Sequence, residues 1–145
     1  MAFLNESHIE EADIAFFTAT LKYQHRDGWQ KKLLGRDSLK DVVFKDRLYT
    51  ALARLNPELP PMCLDHAVHE LTRSRASREP VAANKEIYEL IRGGIPVTYT
   101  NDEWREVQDY VRVIDFNTPE NNDFLVVSQL SIEYLNISGI TRRPD

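Results

Sequence analysis

Cysteine is nearly absent from this chain. Cys63 is the single one among 145 residues, so no internal disulfide can form, and no Cys/His grouping has the spacing of a zinc site. The plain reading of Cys63 is a small apolar helix residue. No apolar run reaches membrane-spanning length and no leader pattern opens the sequence, so a cytoplasmic location without a membrane partner is expected. Only 5 glycines occur, and none builds a G-x-x-x-x-G-K-[ST] phosphate loop; ATP binding by this chain itself is therefore not expected. A nucleophile elbow, internal repeats and low-complexity tracts are missing too.

What is present is ordinary globular composition. Hydrophobic residues make up 42% and charged residues 28%, which excludes a disordered chain and fits one domain over residues 1–145. The net charge of −5 is unevenly spread. Residues 22–78 hold 12 Lys/Arg against 7 Asp/Glu, whereas residues 101–145 hold 4 against 9. A basic middle beside an acidic end suits a nucleic-acid face beside a metal site, but charge alone favours solvated helix surface.

Periodicity divides the chain into a helical front, residues 1–94, and a sheet, residues 95–145. Ser7 and Glu10 have capping-box spacing and open a helix over residues 7–21, with Ile9, Ala12, Phe16 and Ala19 as its stripe. Residues 25–35 show no clean period. There Trp29, beside Lys31 and Lys32, is read as anchoring a loop to the core in preference to stacking on a base. A second helix covers residues 41–55 and ends at Asn56-Pro57. Pro60-Pro61 opens a third, with Leu64, Ala67, Val68 and Leu71 inward. His66 and His69 on it lack a third ligand and read as a solvated face.

Residues 72–80 carry Arg73, Arg75 and Arg78 in a connector that is either flexible or phosphate-contacting. Asn84 is expected to cap a fourth helix that Gly93-Gly94 stops. Strands follow over residues 95–99, 106–116 and 124–135. The apolar runs at 113–116 and 124–127 read as strands buried on both faces. The asparagine-rich segment between them reads as a rigid turn, with Asp115 and Asp123 as turn and cap carboxylates. The expected fold class is α+β, four N-terminal helices followed by an antiparallel β-meander.

The string D-F-N-T-P-E-N-N-D-F-L-V-V-S-Q at residues 115–129, followed by R-R-P-D at 142–145 and preceded by A-L-A-R-L-N-P-E-L-P at 51–60, resembles a known family. It is the N-terminal nuclease region of the R (restriction and translocation) subunit of type I restriction-modification enzymes. The resemblance spans most of the chain. It implies the first part of a PD-(D/E)xK nuclease core, with Asp145 as catalytic and metal-binding residue and an E-L-K strand expected after it. Asn5-Glu6-Ser7-His8-Ile9-Glu10 matches a family pattern whose last acid lies near the metal, so the resemblance makes Glu10 a second candidate for the catalytic metal site. The residues alone favour a cap.

Arg142 and Arg143 beside Asp145 are candidates for DNA phosphate contacts. The implied cofactor is Mg²⁺, held by one or two carboxylates and its own waters; ATP belongs to a motor elsewhere in the parent protein. Implied partners are DNA and the methyltransferase and specificity subunits. With only one half of the motif, the isolated chain is expected to be inactive, and either to self-associate through an uncovered sheet edge or to have a poorly ordered end from about Gly139 onward. The alternative function is a non-catalytic module that contacts subunits or DNA.

Overall fold

The computed structural model describes residues 5–30 and 34–133. Within them the chain forms two compact units. One combines residues 5–30 and 34–44 with residues 124–133; the other is residues 45–123.

In the first unit, α1 spans Glu6–Ala15 and continues into one wider π-type turn, Phe16–Thr20. Its N-cap is Asn5, whose Oδ1 accepts the His8 N–H at 3.0 Å. The cap expected at Ser7 therefore lies two residues earlier, and it is a single N-cap rather than a capping box. Asn at the N-cap satisfies an orphan helix N–H as well as Ser does, and Glu10 is left free of any capping role. No α1 residue is fully buried, because its apolar stripe is broken by acids. Packing begins past the helix, where Phe17 meets Tyr23 at a tilt and Tyr23 stacks on Phe124, those two rings being 4.7 Å apart and nearly parallel.

Tyr23 leads into β1, Gln24–Asp27, a strand the sequence does not announce. It pairs in parallel with β4, Leu125–Ser128, in the register Gln24 to Leu125 through Asp27 to Ser128. The expected antiparallel meander is thus corrected. The last strand joins a partner about 100 residues earlier rather than the strand before it.

The second unit holds α2 (Lys45–Leu55), α3 (Pro61–Thr72), α4 (Pro80–Gly93) and the hairpin of β2 (Ile95–Thr100) with β3 (Glu106–Val111). Its core is formed by Leu52, Leu59, Cys63, Leu64, Ala67, Ile95, Val97 and Val111. The apolar face of α3 thereby covers one face of the hairpin, and Cys63 is the buried helix residue expected. Proline at the first position of α3 and α4 costs no backbone hydrogen bond there. Glu79, and not Asn84, caps α4 by accepting the Ala82 N–H at 3.0 Å.

β3 stops at Val111, short of the expected end at residue 116. Asn56, at the end of α2 and only 3% exposed, takes the place of a neighbouring strand. Its Oδ1 accepts the Arg112 N–H at 2.8 Å, and its Nδ2 donates to the Arg112 carbonyl at 2.9 Å and to the Leu52 carbonyl at 2.8 Å. Beyond it, residues 113–116 are not buried on two faces: Val113 and Ile114 are half-buried and Phe116 is 62% exposed. The 124–127 run is likewise only partly covered, being half of a two-stranded sheet.

Candidate functional site

Glu10 projects from α1 toward the end of β4. Gln129, the residue after that strand, donates from Nε2 to both carboxylate oxygens of Glu10 at 2.9 Å. The amide is neutral and brings no positive charge to the carboxylate. Each oxygen also keeps a lone pair for another partner. These features fit a carboxylate that helps hold a divalent cation, although among the described residues no three His, Cys, Asp or Glu side chains gather into a complete metal site. Asp145, Arg142 and Arg143 lie outside the described residues, as do Lys31 and Lys32.

Beside Gln129, three polar side chains meet on the paired strands. His25 Nε2 is 2.8 Å from Ser128 Oγ and 3.9 Å from Asp27 Oδ1, and Ser128 Oγ is 3.4 Å from the same Asp27 oxygen. The three residue types suggest a hydrolytic triad, but the geometry rejects one. A triad needs the hydroxyl on one ring nitrogen and the carboxylate on the other, so that the carboxylate orients the base. Here both face Nε2.

The asparagine-rich loop is structural, as its composition implies. Asp115 is 7% exposed. Its Oδ1 accepts the Asn117 and Thr118 N–H groups at 3.1 and 3.0 Å, and its Oδ2 accepts Asn121 Nδ2 at 3.0 Å. Asn122 returns the favour to the backbone, accepting from Asp115 N and donating to the Asp115 and Pro119 carbonyls. The Asn121 amide, then the Thr118 and Asn117 N–H groups and the Arg112 charge, hold the Asp115 carboxyl below its ordinary value against the opposing effect of burial. An acid this fully engaged is not a metal ligand in waiting. Asp123 differs from its expected turn role: it pairs with Arg47 of α2 at 2.6 Å.

The arginine connector is an ion-paired clasp. Arg73 bonds Glu70 at 2.9 Å and Glu86 at 2.6 Å, Arg75 reaches Glu86 at 3.2 Å, and Arg78 reaches the other Glu86 oxygen at 2.6 Å. Arg75 also donates to the Glu70 and Arg73 carbonyls. Three guanidinium groups engaged this way are poorly placed to take a phosphate as well. Trp29, expected to anchor a loop in the core, is 68% exposed.

A cavity of about 340 Å³ lies in the second unit between α3 and β2, lined by Met62, Cys63, His66, Pro96, Val97 and Thr98. Burial, with Asp109 adding to it, pushes the Cys63 thiol up, away from the thiolate a nucleophile needs. No carboxylate lines this cavity.

Gln129 is the site residue that reading the sequence for chemistry passes over. Gln has no titratable group, and its only signal is its place at the end of the 115–129 string.

The family described as type I restriction enzyme R protein N terminus matches residues 3–145. The type I restriction enzyme HindI endonuclease subunit of Haemophilus influenzae is 33% identical over 98% of the chain. A Methanocaldococcus jannaschii protein, provisionally named as the type I restriction enzyme MjaIXP endonuclease subunit, is 27% identical over 98% of it. The chain spans 13% and 14% of the lengths of these two relatives. No solved structure matches.

Proposed function

The chain belongs to the family of type I restriction enzyme R protein N-terminal regions, and from that premise we propose that it forms the front of a DNA-cleaving domain dependent on Mg²⁺. The observation that carries this reading is the Glu10 carboxylate, held in place by a neutral amide and relieved of any capping duty. Asp123 and Glu86, which tie elements of this chain together, pair with arginine, whereas Glu10 is met by a neutral amide.

In the reaction, Mg²⁺ would supply a bound water of lowered pKa and positive charge at the scissile phosphate. Glu10 would sit near the cation, with Asp145 as the second carboxylate and Arg142 and Arg143 contacting phosphate oxygens. The Glu10 side chain comes from a helix, an element more rigid than a loop, and Gln129 directly follows a strand. Cleavage would be the task of the whole R subunit, in which ATP-driven translocation and contacts with the methyltransferase and specificity subunits involve other parts.

Glu10→Gln in the R subunit carrying this segment tests the reading. The substitution keeps shape and can keep one bond to Gln129, so folding should be unaffected. We expect Mg²⁺-dependent cleavage of plasmid DNA to fall by about 10- to 100-fold, the scale for disturbing the groups around a bound metal, with ATP hydrolysis retained. Unchanged cleavage would remove Glu10 from the metal site.

A further inference from the structure

The backbone at Gln129 is left-handed, with φ +53. Side chains with a Cβ rarely adopt this region, and where they do the surroundings impose it. Here the imposing neighbour is Gly28. Its N–H donates to the Ser128 carbonyl at 2.6 Å. A Cβ built on Gly28 would lie 2.6 Å from the Gln129 carbonyl oxygen and 2.4 Å from Leu130 Cα. The bare glycine therefore makes room for the chain to turn sharply after β4, and that turn carries the Gln129 amide to Glu10.

We infer that Gln129 is a positioning residue: its amide fixes the Glu10 carboxylate in one orientation before a divalent cation arrives. This rests on the reading of Glu10 given above. As a latch for the fold, the contact achieves little. A solvent-exposed hydrogen bond to a carboxylate stabilises by about as much as the left-handed backbone costs. As a positioning device, it fits. Glu10 has several rotatable bonds, and holding it in place removes ordering that cation binding would otherwise require. A Lys or Arg in the same place would hold the carboxylate equally well but would repel the cation; a neutral amide does not.

The test uses the isotope-labelled 145-residue chain and Mn²⁺, whose unpaired electrons broaden nearby amide signals. The signals to follow are those of residues 9–11. In the unsubstituted chain Mn²⁺ should broaden them selectively, and Glu10→Gln should abolish this. Gln129→Gly suits the left-handed backbone, so it removes the amide while keeping the turn. Gln129→Leu removes the amide while keeping the bulk. Both should raise the Mn²⁺ concentration for half-broadening by roughly tenfold, the low end of what partners of metal ligands contribute. The thermal midpoint of the Gln129→Gly chain should not fall. If both Gln129 variants titrate like the unsubstituted chain while Glu10→Gln abolishes broadening, the positioning role is wrong and the reading of Glu10 stands. If the unsubstituted chain shows no selective broadening, or Glu10→Gln leaves it unchanged, the reading of Glu10 fails and the positioning role fails with it.

Discussion

Replacing Asn56 should be among the most damaging single changes in the second unit. Its side chain makes three hydrogen bonds, two of them to the backbone of Arg112 and the third to the Leu52 carbonyl. The Leu52 carbonyl would keep a second partner, the Asn56 N–H at 3.0 Å, so its loss is small. The Arg112 N–H and C=O have no such reserve among the bonds described. Leaving each without a partner costs about 1–1.5 kcal/mol at a partly buried site, giving roughly 2–3 kcal/mol for Asn56→Ala. That is a large share of the ~5–15 kcal/mol that stabilises a typical domain.

Asn56→Asp should be worse at pH 7. It keeps the acceptor for Arg112 N–H but brings a buried carboxylate oxygen against two carbonyl oxygens, at the 2.8 and 2.9 Å now spanned by Nδ2. The introduced acid would titrate above its unfolded value of about 3.9. Its penalty is thus absent below that value and grows as pH rises through the folded value. Urea unfolding followed by far-UV circular dichroism at pH 7 and pH 4 measures both effects. The expected order at pH 7 is wild type, then Ala, then Asp, with the gap between the two variants closing at pH 4. Asn56→Ala within about 0.5 kcal/mol of wild type, the range of ordinary surface changes, would show that Arg112 does not depend on this side chain. A gap that fails to narrow in acid would refute the buried-carboxylate argument.

The left-handed turn at Gln129 depends on Gly28, so Gly28→Ala should open the β1–β4 pair, seen as faster hydrogen exchange at the amides of both strands. Gly93→Ala, where an added Cβ meets nothing within 4 Å, should be neutral or stabilising by up to about 1 kcal/mol in a helix. Asp115 has a lowered folded pKa, so its contribution is full above the unfolded value of about 3.9 and disappears as pH falls through the folded value. Asp115→Asn should therefore flatten the loss of stability between pH 5 and the acid limit, measured by urea midpoints across that range. Glu86 accepts from Arg73 and Arg75 and forms an ion pair with Arg78, and Glu86→Gln should lower the thermal midpoint more than Glu89→Gln, whose partner Lys85 is 3.8 Å away on an exposed face.

Much of this protein follows from local chemistry and was legible without a structure. The third helix begins where Pro60-Pro61 permits it, and the fourth ends where Gly93-Gly94 stops it. The asparagine loop closes on Asp115 because Asp and Asn side chains compete for nearby backbone groups wherever they cluster. The family, too, was legible in the 115–129 string. Three features were not, and each depends on residues far apart in the chain. The Gln24–Asp27 strand has no apolar alternation; it is a strand only because β4 offers it hydrogen bonds from about 100 residues away. The end of β3 was misplaced because residues 113–116 look like a buried strand, yet Asn56 takes the hydrogen bonds at Arg112 and the Asp115 loop takes those beyond. Glu10 had the spacing of a cap, but the helix is capped by Asn5 and the carboxylate turns to Gln129, 119 residues on. Spacing along one helix records neighbours within a turn. Which strand end a carboxylate faces is decided only when the chain has folded around it.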